Sequence, residues 1–245
     1  MKKAFNVFRL LIFVSFLLLY NEPVFPQWIH TNGPSGGYIC SFAFSGQDIF
    51  AGTQNGIYQS KNNGKSWKFN GLVNKVVRAV AVDGRNIYAG TSTGMFKSSN
   101  NGENWISVNQ GISDNNIYAI LITAKNIFVG TSGGGIFLSV NKGKTWTSVN
   151  TGLTNTVIRS LLLKDNILFA GTLQGGLFAS TNNGISWKQS GSALSGKSVF
   201  TIINSGSLLF AGTDSGILLS TDNGNNWKQS DFGITDKHIL TMSVF

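Results

Sequence analysis

The amino-acid sequence predicts an all-β fold, a β-propeller of four-stranded antiparallel blades, and three observations carry that prediction. The six tryptophans, Trp28, Trp67, Trp105, Trp146, Trp187 and Trp227, are separated by 39, 38, 41, 41 and 40 residues. Five of them close the same octet, and ahead of each octet stands the same five-residue apolar segment. A self-similar period of this length marks an architecture made by stacking one unit on the next. Four short strands in about 40 residues is the unit of a propeller blade.

The octets are Ser60–Trp67 (SKNNGKSW), Ser98–Trp105 (SSNNGENW), Ser139–Trp146 (SVNKGKTW), Ser180–Trp187 (STNNGISW) and Ser220–Trp227 (STDNGNNW). Each has Ser first, Asn or Asp third (Asn62, Asn100, Asn141, Asn182, Asp222), Gly fifth (Gly64, Gly102, Gly143, Gly184, Gly224) and Trp last. A tight hairpin turn needs these types: the Asn or Asp side chain caps nearby backbone N–H groups and Gly supplies a positive φ. The indole then has a dry slot against the neighbouring sheet, and burying ~200 Å² at ~25 cal/mol/Å² sets an upper bound of ~5 kcal/mol for each.

The segments Ile49–Thr53, Ile87–Thr91, Ile127–Thr131, Leu168–Thr172 and Leu209–Thr213 read as the second strand of each blade. A short strand follows each of them, and an apolar strand precedes each, as at Val76–Val82 and Val157–Leu163. Strands A to D therefore run over 38–70, 76–108, 116–150, 157–190 and 198–230, which makes five complete blades. The Trp28 segment reads as a D strand without its octet and His238–Phe245 as an A strand, so the expectation is a partial sixth blade shared by the chain ends. An apolar strand at the C-terminus predicts a truncated chain.

The octet resembles the Asp-box, or bacterial neuraminidase, repeat, over nearly all of the chain after its first segment. With the Phe-Ala-Gly-Thr strands, it is most similar to the photosystem II stability and assembly-factor-like propellers. That superfamily is shared with sialidases, sortilin-type receptors and xyloglucan-cleaving glycosidases. Asn stands third in four of the five octets, which weakens any cation-binding role for them.

Composition narrows the function. Of 245 residues, 42% are hydrophobic and only 12% charged, so apolar packing and backbone pairing must carry the fold. The formal charge is +9, but the lysines are scattered singly, many beside the octets, as Lys61, Lys65, Lys68, Lys142, Lys144, Lys188 and Lys228 are. A nucleic-acid groove would gather them with exposed aromatics; lysines on outer strands instead blunt edge-to-edge pairing. Residues 1–26 read as a signal peptide, with a basic start and an apolar run from Leu10 to Tyr20 that is too short for a stable anchor. The reading is an exported protein, periplasmic, cell-surface or secreted, with residues 27–245 as the propeller and no membrane insertion once the leader is removed. Cys40 is the single cysteine, which rules out an internal disulfide.

The resemblance implies that a sialidase would need an arginine cluster and a Tyr nucleophile paired with Glu. After the leader the arginines are Arg78, Arg85 and Arg159, and Glu103, inside an octet, is the single Glu. A carboxylate-pair glycosidase needs two acids ~5 to 9 Å apart across a cleft. Most of the aspartates fall in repeated turns, which leaves Asp214 as the one weak candidate. His30 and His238 would meet only if the ring closed, and two histidines make a poor metal site. The expectation is no enzyme, no cofactor and no metal.

One column varies inside this repeated frame. Near the start of strand A the equivalent residues are Cys40, Arg78, Tyr118, Arg159, Phe200 and Leu240. Strand A is innermost in a blade, so these positions circle the channel mouth on the face of the D-to-A and B-to-C loops. Arg78, Tyr118, Arg159 and Phe200 are therefore the predicted recognition patch, with two cations and aromatics suited to an acidic or carboxylate-bearing partner. The function read from the sequence is a non-catalytic interaction or scaffold module binding a protein or a glycan. The alternative is a carbohydrate-active or glycan-binding propeller that is part of a longer secreted protein.

Overall fold

A computed structural model describes residues 33–34 and 37–244. Residues 1–26, where a signal peptide is expected, Trp28 and His30 lie outside the described residues. Twenty strands form five four-stranded antiparallel sheets, each paired in chain order. The first blade is β1 (Ile39–Ser45), β2 (Asp48–Thr53), β3 (Gly56–Ser60) and β4 (Lys68–Phe69), and the second is β5 (Val77–Asp83), β6 (Asn86–Thr91), β7 (Gly94–Ser98) and β8 (Ile106–Ser107). The third is β9 (Ile117–Ile122), β10 (Ile127–Thr131), β11 (Ile136–Ser139) and β12 (Thr147–Ser148). The fourth is β13 (Ile158–Lys164), β14 (Ile167–Thr172), β15 (Leu177–Ser180) and β16 (Lys188–Gln189). The fifth is β17 (Val199–Ser205), β18 (Leu208–Thr213), β19 (Gly216–Ser220) and β20 (Lys228–Gln229). Five blades stand where the period places them, and one 3₁₀ turn, Ser192–Leu194, lies between the fourth and fifth.

The octet turns are hydrogen-bonded as their residue types require. In the first, the Ser60 hydroxyl accepts the Gly64 N–H at 2.8 Å and donates to Asn62 Oδ1, which accepts the Ser66 N–H at 2.9 Å. The same bonds recur around Asn100, Asn141, Asn182 and Asp222. Gly64, Gly102, Gly143, Gly184 and Gly224 have φ between 81° and 89°. The fourth residue is left-handed too, at φ 55° to 58°, which suits Asn63, Asn101, Asn183 and Asn223 and is strained at Lys142.

The repeated Gly-Thr pair of the second strand has two tasks. A Cβ on Gly130 would fall 2.5 Å from Ile158 Cγ2 of the next blade, and one on Gly90 would fall 2.6 Å from Ile117 Cγ2. The glycine therefore sets how closely neighbouring blades approach. The threonine is fully buried in all five blades and donates from its hydroxyl to the carbonyl at the end of the B-to-C turn, as Thr91 does to Gly94 at 2.9 Å.

The core lies between blades. Phe169 and Leu177 of the fourth blade pack on Val199, Ile202, Leu218 and Trp227 of the fifth, and Trp105, Trp146 and Trp187 likewise cover the sheet that precedes them. Trp146, Trp187 and Trp227 are buried, but Trp67 and Trp105 are only half-buried, which corrects the expectation of a dry slot for every indole. Phe42 on β1, with its ring centroid 6.2 Å from that of Trp67, is 50% exposed, and Phe44 on the same strand is 67% exposed. The packing of inner strands runs β1, β5, β9, β13, β17. The His238 segment continues this series: Ile239 donates to Thr213 O at 2.9 Å and packs on Gly212 as Ile158 does on Gly130. It takes the place of a sixth inner strand but has no strand partner among the described residues. The expected sharing of that blade with the Trp28 segment falls outside them.

Candidate recognition site at the channel mouth

In every blade the second residue of the inner strand is the extra residue of a β-bulge. Val77 pairs with Thr91 and Ala79 with Gly90, which leaves Arg78 unpaired; Cys40, Tyr118, Arg159 and Phe200 are skipped in the same way. A bulge re-aims its side chain out of the regular alternation. Here five bulges in a ring aim five side chains into one cavity of about 580 Å³, lined also by Leu240 and Thr241. The B-to-C loops bond to the residue ahead of strand A, as Ser92 N–H does to Val76 O at 3.1 Å and Ser132 N–H to Asn116 O at 3.0 Å. The D-to-A and B-to-C loops therefore share the rim around this mouth. At the other end, Tyr88 and Lys164 reach the next blades' octets at Lys142 O and Asn223 Oδ1.

The four predicted residues come together. The Arg78 and Arg159 guanidinium carbons lie 5.0 and 4.1 Å from the Tyr118 ring centroid, and Arg159 lies 5.8 Å from that of Phe200. Phe200 meets the His238 ring edge to face, with centroids 4.8 Å apart. This is a chain of cation–π and ring contacts across the three boundaries between the second and fifth blades and on to the His238 segment. Among the described residues no carboxylate lines the cavity, and two guanidinium groups do. Cys40 sits in the same ring; burial raises its thiol pKa and the charge of Arg78 opposes this.

Two residues at the rim are missed by sequence reasoning. Arg78 Nη1 donates to Asn116 Oδ1 at 2.8 Å, and Asp114 Oδ1 accepts the Asn116 N–H at 3.0 Å. Burial would raise the Asp114 pKa, but hydrogen bonds from the Asn116 and Gly134 N–H groups, the Ser132 hydroxyl and the Gly133 N–H outweigh it and hold it below the usual carboxylate value. The signal was a polar residue at Asn116 where the second and fourth blades have Val76 and Val157. Asp214, the weak acid candidate, accepts the Ser198 N–H at 3.0 Å as a turn residue does. Among the described residues no three His, Cys, Asp or Glu side chains gather as metal ligands.

Residues 112–239, which hold Asn116, Tyr118, Arg159 and Phe200, match the family model described as the DUF6242 beta propeller domain. The chain belongs to this family. No curated protein sequence matches this DUF6242 propeller. By fold it is similar to an ancestral GH74 enzyme, with a TM-score of 0.68 and 22% identity over 86% of this chain and 33% of that one. It is also similar to YCF48 bound to D1 peptide (TM-score 0.62, 15% identity, 81% of this chain and 67% of that one). A third similar structure is the GH74 xyloglucanase from Xanthomonas campestris (TM-score 0.61, 18% identity, 78% of this chain and 38% of that one). The DUF6242 propeller thus spans only about a third of the GH74 chains. At these identities the likeness is one of fold.

Proposed function

We propose that this propeller is a non-catalytic interaction module, exported by its leader, that binds an acidic or carboxylate-bearing segment of a partner protein at the channel mouth. The observation that carries this reading is the Arg78–Tyr118–Arg159–Phe200 chain, set by bulges at one position of four successive blades. A guanidinium presents a planar fork of donors that matches a carboxylate. A propeller of this fold bound to a peptide, YCF48 with D1 peptide, supports a protein ligand.

The same geometry weighs against a neutral glycan. Sugar rings are held on open aromatic faces, whereas Tyr118 already carries two guanidinium groups and Phe200 carries one and a histidine ring. A carboxylate-pair glycosidase needs two acids across its cleft, and neither is among the described residues that line this cavity. The test is fluorescence anisotropy with acidic peptides, their Gln and Asn counterparts, and neutral and uronic-acid oligosaccharides. Salt-sensitive binding of the acidic peptides supports the proposal, and binding confined to neutral oligosaccharides overturns it.

A further inference from the structure

Arg78 and Arg159 occupy equivalent bulges, yet their surroundings differ. Arg159 contacts only ring faces, Tyr118 at 4.1 Å and Phe200 at 5.8 Å, and its guanidinium donates no hydrogen bond among the described residues. Ser198, which stands to Arg159 as Asn116 does to Arg78, has its hydroxyl occupied by the Gln174 N–H at 3.2 Å. Arg78 instead gives one N–H to Asn116 Oδ1 at 2.8 Å.

The grip of Asn116 is itself built. Its N–H is held by Asp114 Oδ1 at 3.0 Å and its carbonyl accepts the Ser132 N–H at 3.0 Å. Asp114 Oδ2 in turn accepts the Gly134 N–H at 3.0 Å and the Ser132 hydroxyl at 3.1 Å. The Asp114 carboxylate therefore ties the D-to-A loop of the third blade to its B-to-C loop and holds the Asn116 N–H, while the Ser132 N–H holds the Asn116 carbonyl. The amide oxygen, being neutral, orients the guanidinium without cancelling its charge. A carboxylate at residue 116 would form an ion pair and use that charge up.

We propose that Asn116 is a positioning residue of the channel mouth: backed by Asp114, it holds Arg78 as a fixed donor, while Arg159 keeps its whole fork for the ligand. This rests on the reading of the mouth as a site for an acidic partner. It assigns the two arginines unequal tasks, with Arg159 the seat of a single carboxylate and Arg78 an oriented second contact.

The test uses the full chain labelled with nitrogen-15 and two measurements. Guanidinium NMR spectra, with Arg78 assigned by its loss in Arg78→Lys, should show slow rotation of the Arg78 Nη groups and fast rotation of those of Arg159. Asn116→Ala should abolish the difference and Asn116→Asp should keep it. Binding of a tetraglutamate peptide should weaken about fivefold in Asn116→Ala, the weight of one hydrogen bond, and more in Asn116→Asp, where the charge is neutralised. A merely structural asparagine would instead have Asn116→Asp restore binding, and that result overturns the proposal. So does equal, fast rotation of both arginines in the unaltered chain. If the peptide binds none of the proteins, the acidic-partner reading fails, and the rotation measurement alone decides whether Asn116 holds Arg78.

Discussion

The guanidinium of Arg159 lies over the ring of Tyr118 with 4.1 Å from its central carbon to the ring centroid, and the two residues belong to adjacent blades. Neither is a core residue, and each comes from a bulge. The contact therefore adds little to the folded state that depends on burial, and it can be removed without opening a blade interface.

Removing both cations, Arg78→Ala with Arg159→Ala, should weaken binding of a tetraglutamate peptide at least tenfold if the proposed function holds, since a hydrogen bond to a charged group is worth about 1.5 to 3 kcal/mol. The melting temperature should stay nearly unchanged, as the site is at the surface of the channel. Titration and a thermal melt of the same preparation check both halves, and unaltered affinity would remove these residues from the site.

The tryptophans should not be equal in weight. Trp146, 4% exposed and donating to Val108 O at 2.8 Å, should cost roughly 3 to 5 kcal/mol on replacement by alanine. Trp67, half-buried and bonded among the described residues to Gly64 of its own turn, should cost clearly less. Denaturant titration of the two variants gives the comparison, and equal losses would mean that Trp67 is covered by something outside the described residues.

At the blade interface, Gly130→Ala would set a methyl 2.5 Å from Ile158 Cγ2 and 2.8 Å from its Cβ. Overpacking of this kind costs about 1 to 3 kcal/mol. Because the clash is with one side chain, Ile158→Ala in the same chain should recover part of the loss, and a double-mutant cycle reads the coupling. Strictly additive losses would show that the glycine serves some other need.

Tyr88 provides a pH test. Burial, with the charge of Asp83 adding to it, pushes its hydroxyl up to about 12, whereas the unfolded side chain ionises near ~10. The unfolded chain then binds fewer protons above pH ~10, so stability from this group is full below that value and falls as pH rises towards 12. Tyr88→Phe should lose about 1 kcal/mol at neutral pH, for the bond to Lys142 O at 3.2 Å, and should show a smaller alkaline decline. An identical alkaline slope in both chains would refute the assignment.

The frame of this fold was legible because it is periodic: the octets, the Gly-Thr strands and the tryptophan spacing each repeat five times and each has one chemical reason. That Arg78, Tyr118, Arg159 and Phe200 meet was legible for the opposite reason, since they vary where the frame is constant and line one cavity. The bulge that aims them was not, because one skipped residue leaves no trace in a strand already apolar and irregular. Asn116 was hidden by distance along the chain: it meets Arg78 38 positions away, across a blade boundary. The uneven burial of the tryptophans was hidden as well, because an indole's cover depends on the blade before it, even where its N–H bonds its own turn as in Trp67 and Trp227.

That dependence gives the array a direction. Trp105, Trp146 and Trp187 donate their indole N–H to Asn70 O, Val108 O and Val149 O, in each case a backbone group of the preceding repeat. Repeat arrays fold by neighbour contacts, and chains emerge from the ribosome N-terminus first. A newly made blade therefore finds its anchor point already synthesised and need not wait for sequence still to come. Growth by adding repeats at the downstream end leaves every earlier anchor in place, whereas loss of an upstream repeat strands the tryptophan behind it.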